Sequence, residues 1–574
     1  MHIQNKIMEQ AQDPPAPYLQ MCTILACPRN AEGKTEGTTS GILIDPCQGL
    51  VLTHASLLYP LHEHFSPELL RNLENHGSSL VGTKLFKYHV DIEVTLPNMS
   101  LVDGGANKLV SNSDKSLYTV LSSSTAESVK SVGQYHGRVK LVFEAKRLKD
   151  VIRKLLPKDQ WQFEQDDNGS LSIAENKKEI KKNEYFYYTL LPCFVLIKLT
   201  DYHPTHNSLI FRDAKDNKVG DPVEICATPF GSMSPEVFLN SCSRGIISKI
   251  AGPGRVLMMT DARCVPGCEG GGLFFVHKNK RYLSGMMIAT LCWRNSEWVG
   301  LSLACAISEL VGSLRKHALV DSHISPTAGM LDKGYATKIK TMLSMAVSIS
   351  VGANWGSGII LDQHRGIYLT CSHVLKGVEY QKNVIVQNEA SDEKTQSSIV
   401  FRSVPGRQFD VAVVQSEVTV HDTPGWEKHI VFEYAEPVEG EVVFVVGYGI
   451  FRHSFGRVPM VNRGIVSKVN SVNGVPIMVQ TTCAVHAGVS GGGVFNIHGQ
   501  LVAMVICNSR DTASGASYPH VNMCIPIATL APTLNKYLQT GDETVLQVLS
   551  TKNKQIKQLW SMGTEDYCSI MSRM

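Results

Sequence analysis

Ser490 lies in the run Gly488-Val489-Ser490-Gly491-Gly492-Gly493, with His486 just before it and Phe495 just after. A serine hydroxyl can accept an acyl group when a tight turn presents it and backbone N–H groups point at the oxygen that becomes negative in the tetrahedral intermediate. Glycine on both sides allows such a turn at no Cβ cost, and the N–H groups of Gly488 and Ser490 are the candidate oxyanion hole. That serine needs a base, and the base needs an orienting acid. Upstream, the apolar stretch Gly366-Ile367-Tyr368-Leu369-Thr370-Cys371-Ser372 ends on His373. Further on, Asp410 opens the hydrophobic run Val411-Ala412-Val413-Val414, where an unpaired carboxylate is costly unless a partner is supplied. Read together, Asp410 fixes the tautomer of His373, His373 takes the proton of Ser490, and the order along the chain is His, Asp, Ser.

The elements that must position these groups are short apolar strands separated by turns, a pattern compatible with a barrel or a sandwich. Residues from about Ala346 to Leu538 resemble the trypsin-like serine proteases of the Deg/HtrA-type branch, through Leu369-Thr370-Cys371-Ser372-His373-Val374-Leu375, Phe409-Asp410-Val411-Ala412-Val413-Val414 and Gly488 to Gly493. The resemblance implies two antiparallel β-barrels with the catalytic cleft between them, followed by a C-terminal helix over Ile527 to Leu538. It also implies that Ala484, six residues before the serine, forms the base of the primary specificity pocket. With no carboxylate at that position, a small or apolar substrate side chain, cysteine included, is expected there over lysine or arginine. No PDZ-like domain is visible after the catalytic stretch.

At 574 residues the chain exceeds one core, so several domains are expected. Lys+Arg 55 against Asp+Glu 52 gives no reason to expect nucleic acid as a partner. No apolar run reaches the ~18 residues of a membrane span. The opening residues Met1-His2-Ile3-Gln4-Asn5-Lys6 lack the layout of an export signal, so free thiols are expected of the 15 cysteines. The Cys264-x-x-x-Cys268 and Cys22-x-x-x-x-Cys27 spacings lack a second ligand pair. Neither a metal nor any other cofactor is expected.

The first half repeats the second. Thr39-Ser40-Gly41 and Gly49 to Leu58 lie over Gly356-Ser357-Gly358 and Gly366 to Leu375; Arg244-Gly245-Ile246 lies over Arg463-Gly464-Ile465; Gly267-Cys268-Glu269-Gly270-Gly271-Gly272 lies over Gly488 to Gly493. This overlay puts Ser56, Val195 and Glu269 at the places of His373, Asp410 and Ser490, so the first copy has lost its chemistry. His54, two positions early and displaced by about 7 Å along a strand, is read as structural.

The expected class is all-β, two tandem trypsin-like double-barrel units with short C-terminal helices. The degenerate unit spans 1–320 with a long insertion at about 59–190, then come a linker at 321–340, the active unit at 341–540 and a helical tail at 541–574. Within the insertion the charged stretch 144–182, with Lys146-Arg147-Leu148-Lys149, reads as solvated and as a candidate for self-cleavage. In the tail, Val545, Leu546, Leu549, Ile556, Leu559 and Trp560 predict one amphipathic helix, packed on the barrel or, alternatively, binding a partner.

The final Ser572-Arg573-Met574 resembles the C-terminal peroxisomal address, a weaker form of Ser-Lys-Leu. A degenerate unit, an intact one and this address together resemble the peroxisomal (in plants, glyoxysomal) leader-peptide-processing proteases. The resemblance implies a matrix serine endopeptidase that removes N-terminal targeting leaders from imported proteins and processes enzymes of fatty-acid β-oxidation. It also implies an import receptor as partner and allows a homo-oligomer. The rival readings are an intracellular quality-control protease and a scaffold that binds protein through the inactive unit.

Overall fold

Short strands must find partners for every backbone N–H and C=O, and here they do so by closing into rings. The computed structural model describes residues 21–28, 37–65, 79–81, 90–97, 132–157, 161–163, 187–204, 210–317 and 325–560, less short internal stretches, the longest of them 417–431.

In the first ring Met21–Pro28, Gly37–Asp45, Leu50–His54, Cys193–Leu199, Val132–Glu144 and Val90–Pro97 pair in that cyclic order. The third ring repeats the order with Ala346–Val351, Asn354–Asp362, Ile367–Thr370, Ala412–Ser416, Thr395–Arg402 and Val384–Gln387. The second and fourth rings match in the same way. One runs Pro222–Ala227, Ser241–Ala251, Leu257–Thr260, Glu297–Ala306, Lys280–Arg294, Gly272–His277; the other runs Val442–Gly447, Met460–Val472, Val475–Thr481, Ser517–Pro526, Leu501–Arg510, Gly493–Asn496. The architecture is all-β, two double-barrel units in tandem, and no described helix is long and apolar enough to cross a membrane.

Several details depart from the sequence reading. The stretch 59–190 is not a single insertion, because Val90–Pro97 and Val132–Glu144 are two of the six strands of the first barrel. Lys146–Leu155 is not a solvated run but a helix whose Leu148, Val151, Ile152 and Leu155, at helical spacing, are buried. Its Lys149 ion-pairs with Glu144 at 2.5 Å, with both side chains largely covered. The second lysine-rich run, Lys177 to Lys182, lies outside the described residues. Between the units, Ser325–Thr327 adds a strand beside Ile210–Arg212, and Lys333–Ser344 is a helix. The tail packs as expected through Leu546, Leu549, Ile556 and Trp560, but in two pieces, a 3₁₀ helix at Glu543–Ser550 and an α-helix at Lys554–Trp560.

The equivalent strands Ser241–Ala251 and Met460–Val472 face each other across the two units, and Asp261 joins them. Its Oδ1 accepts the Ile246 N–H and its Oδ2 the Arg463 N–H, each at 2.7 Å. Burial pushes its pKa up from 3.8 to about 6, against the lowering effect of those N–H groups. The folded protein therefore holds this proton more tightly than the unfolded chain, a contribution present at acid pH and lost as pH rises through about 6. Between pH 7 and pH 5 the thermal midpoint is expected to rise more in wild type than in Asp261→Asn, as scanning calorimetry would show. Identical profiles would remove Asp261 from the account.

Candidate active site

His373 and Asp410 leave neighbouring strands of the third barrel. Thr370 pairs with Ala412, so the turn Ser372–Leu375 after one strand meets the residue two before the other. The carboxylate grips the histidine twice. Its Oδ1 accepts the His373 backbone N–H at 3.0 Å and its Oδ2 faces Nδ1 at 2.5 Å. With one nitrogen committed to the carboxylate, Nε2 is left as the basic atom. The entry of Asp410 into its strand is fixed by Val411, which donates to Ser403 Oγ at 3.1 Å and accepts from Ser403 N–H at 2.9 Å. Cys371 Sγ lies within 4.8 Å of these groups, but it is buried, its pKa is pushed well up by burial, and it donates to the Val505 carbonyl at 3.3 Å.

Ser490 comes from the fourth barrel, in the loop before Gly493–Asn496. The sequence reading missed what pins this loop, which is Ser357 on the third barrel. Ser357 N–H donates to the Ser490 carbonyl at 2.8 Å, its Oγ donates to the Gly488 carbonyl at 2.7 Å, and that same Oγ accepts Tyr448 N–H at 2.7 Å. Thr370 Oγ1 in turn donates to the Ser357 carbonyl at 2.7 Å. The signal was present in the sequence, since Ser357 and Thr370 both recur in the duplicated motifs as Ser40 and Thr53. Gly491, with φ +85°, passes so close beneath that a Cβ would lie 2.2 Å from the Ser357 carbonyl oxygen. No other residue fits there.

The hydroxyl itself points elsewhere than expected. Ser490 Oγ donates to the Ile506 carbonyl at 3.0 Å, and among the described residues no hydrogen bond joins it to His373. The carbonyl is an available acceptor for one serine rotamer. Among the described residues the N–H groups of Gly488 and Ser490 have no acceptor, which leaves both donors for an incoming oxygen. Ala484 is buried, with its carbonyl accepting from Asn462 Nδ2 at 2.6 Å. His486 beside it is buried, and burial with the nearby His520 pulls its pKa down to about 3, so it adds no charge. Ser572, Arg573 and Met574 lie outside the described residues.

Residues 356–504 match the family model for the trypsin-like peptidase domain. They form a trypsin-like peptidase domain. The chain is 37% identical over 358 residues to the human peroxisomal leader peptide-processing protease and 36% identical over 355 residues to the mouse protein of that name. Each alignment covers 60% of this chain, and the chain spans 60% of the length of each relative. It is also 25% identical over 210 residues to the periplasmic pH-dependent serine endoprotease DegQ of Escherichia coli, covering 35% of this chain and 41% of that protein.

The peptidase domain has a counterpart in the first unit that keeps the scaffold and carries other residues at the matching positions. Ser40 N–H donates to the Glu269 carbonyl at 2.9 Å, Ser40 Oγ donates to the Gly267 carbonyl and accepts Thr228 N–H, both at 2.7 Å, and Thr53 Oγ1 donates to the Ser40 carbonyl at 2.6 Å. Gly270, with φ +80°, makes the same close approach as Gly491. Strand register corrects one assignment. Thr53 pairs with Val195 as Thr370 pairs with Ala412, so the counterpart of Asp410 is Cys193, not Val195. His54 is buried, with Nε2 3.1 Å from the Leu191 carbonyl and Nδ1 accepting Ser56 N–H at 3.2 Å, a structural role that leaves no free nitrogen. Burial lowers its pKa to about 4.

Glu269 does more than replace a serine. Its Oε2 accepts the N–H of Gly267 at 3.0 Å, the group equivalent to the Gly488 donor of the peptidase domain. In the first unit, therefore, a carboxylate of the chain itself takes up this N–H. Glu269→Ser is expected to give no measurable hydrolysis in a Ser490→Ala background, because Ser56 and Cys193 supply neither base nor orienting acid. Turnover appearing in that double variant would overturn this reading.

Proposed function

We propose that this chain is a peroxisomal serine endopeptidase in which Ser490 is the nucleophile, His373 the general base, Asp410 its orienting acid, and the N–H groups of Gly488 and Ser490 the oxyanion hole. The observation that carries the proposal is the doubly hydrogen-bonded Asp410–His373 pair beside a serine loop pinned across the barrels by Ser357. In the reaction, rotation about χ1 swings Oγ from the Ile506 carbonyl to His373 Nε2. Nε2 takes the proton as Oγ attacks the scissile carbonyl. The imidazolium is stabilised by Asp410, and the negative oxygen settles on the two N–H groups. His373 then returns its proton to the leaving amine, and water repeats the sequence on the acyl-enzyme.

The names of the human and mouse relatives support leader peptides as the substrate class; N-terminal leaders of imported matrix proteins, enzymes of fatty-acid β-oxidation and the chain itself are the substrates proposed. Entry through an import receptor that reads Ser572-Arg573-Met574, and homo-oligomerisation, belong to the same proposal. The test is a fluorophosphonate serine probe on wild type and Ser490→Ala, followed by incubation with a leader-bearing precursor. Labelling and precursor cleavage confined to wild type are the expected result; labelling of both proteins alike would sink it.

Specificity follows from Ala484. A substrate lysine or arginine finds no carboxylate at that position. Peptides with a small or apolar side chain before the scissile bond are expected to exceed the arginine analogue at least tenfold in kcat/KM, about 1.4 kcal/mol of transition-state binding. A preference for arginine would reverse the assignment of the pocket.

A further inference from the structure

Four cysteines cluster at and beside the Glu269 loop. By strand register and by the shared loop hydrogen bonds, Cys226, Cys242, Cys264 and Cys268 stand where the peptidase domain has Val446, Val461, Val485 and Val489. Apolar bulk alone therefore satisfies these positions. The four thiols lie as two close pairs, Cys264 beside Cys268 and Cys226 beside Cys242. Cys226 ends the strand Pro222–Ala227, Cys242 begins Ser241–Ala251, and the two are Cα partners in an antiparallel pair.

The ladder shows which kind of pair this is. Ile247 N–H donates to the Asp221 carbonyl at 2.9 Å. Alternation outward from that bond makes Pro222/Ile246, Glu224/Arg244 and Cys226/Cys242 the non-hydrogen-bonded pairs, consistent with proline, which has no N–H, at the first. At such pairs the Cα atoms approach to about 4.5 Å, within the range a disulfide spans. At the next non-hydrogen-bonded pair, two residues along, Arg244 Nε reaches Glu224 Oε2 at 2.9 Å, so side chains do meet across these strands. Both sulfurs also contact one residue, with Cys226 Sγ 3.8 Å from Asn240 Oδ1 and Cys242 Sγ 3.4 Å from the Asn240 carbonyl. Cys226 is buried and Cys242 is exposed.

We propose that Cys226 and Cys242 form a dithiol that small-molecule disulfides convert into a cross-strand disulfide of the first unit. The exposed Cys242, as thiolate, attacks one sulfur of the disulfide and expels the other half as a thiolate. Cys226 then gives up its proton and attacks the Cys242 sulfur of the mixed disulfide, expelling the second half. Two protein thiols are oxidised and one small-molecule disulfide is reduced to two thiols. The new bond joins the two ends of the segment 227–241, which presents Phe230, Met233 and Val237 to solvent.

The experiment treats the full chain with oxidised glutathione, alkylates the remaining thiols and maps the peptides by mass spectrometry. Wild type is expected to yield a Cys226–Cys242 linked peptide. Cys226→Val is expected to stop at glutathione on Cys242, and Cys264→Val to keep the link. Because the equivalent sites of the peptidase domain are valines, these variants are expected to fold, which circular dichroism and labelling of Ser490 would check. Wild type that accumulates glutathione on Cys242 while Cys226 remains alkylated, or that links Cys226 to another cysteine, would overturn the proposal.

Discussion

Ser490→Ala is expected to lower kcat for peptide hydrolysis on the order of 10⁶-fold with little change in fold or KM. The size follows from the division of labour in the site. In the proposed mechanism Oγ is the acyl acceptor, and without it His373 and Asp410 have no proton to move. Only the oxyanion donors and substrate binding remain, worth roughly 10³–10⁴ over water. The loop should survive the change, because what pins it is backbone and neighbour. Ser357 N–H holds the Ser490 carbonyl at 2.8 Å, Ser357 Oγ holds the Gly488 carbonyl at 2.7 Å, and Gly491 packs beneath. The hydroxyl's own described bond runs to the Ile506 carbonyl, and losing it costs about 1 kcal/mol. Steady-state kinetics with calorimetry on the same preparation would decide. A variant that keeps more than a hundredth of the wild-type rate would remove Ser490 as nucleophile.

The parts of this site that were legible in the sequence are the parts that are local. A turn that must curl tightly needs glycine, so Gly488 and Gly491 advertise it, and an aspartate opening a run of valines advertises a partner. The brace from Ser357 is tertiary, and only its recurrence as Ser40 in the first half betrays it. The slip from Cys193 to Val195 has a plain cause. A shift of two residues along a strand keeps the same face, and the uniformly apolar Phe194-Val195-Leu196-Ile197 offers no polar mark to set the register. In Lys146–Leu155 the density of charge masks the helical period that Leu148, Val151, Ile152 and Leu155 carry. The pairing of Cys226 with Cys242, and the reach of Glu269 to the Gly267 N–H, depend on backbone geometry that composition does not encode.

Asp410→Asn is expected to lower kcat about 10⁴-fold while leaving the barrel intact, and the reason is a single proton in the wrong place. In the wild-type site the carboxylate accepts from His373 twice, at the backbone N–H and at Nδ1. An asparagine can still accept the backbone N–H with its carbonyl oxygen, which leaves its NH₂ facing Nδ1. Two donors cannot share that contact, so the imidazole turns its lone pair to the amide and carries its proton on Nε2. In the proposed mechanism Nε2 accepts from Ser490, and in this tautomer it cannot. Asp410→Ala separates the two roles of the acid, since it removes orientation and charge without imposing the wrong tautomer, and is expected to retain more activity than the isosteric amide. If asparagine kept activity within tenfold of wild type, Asp410 would not set the protonation of His373 and the base would have to be sought elsewhere.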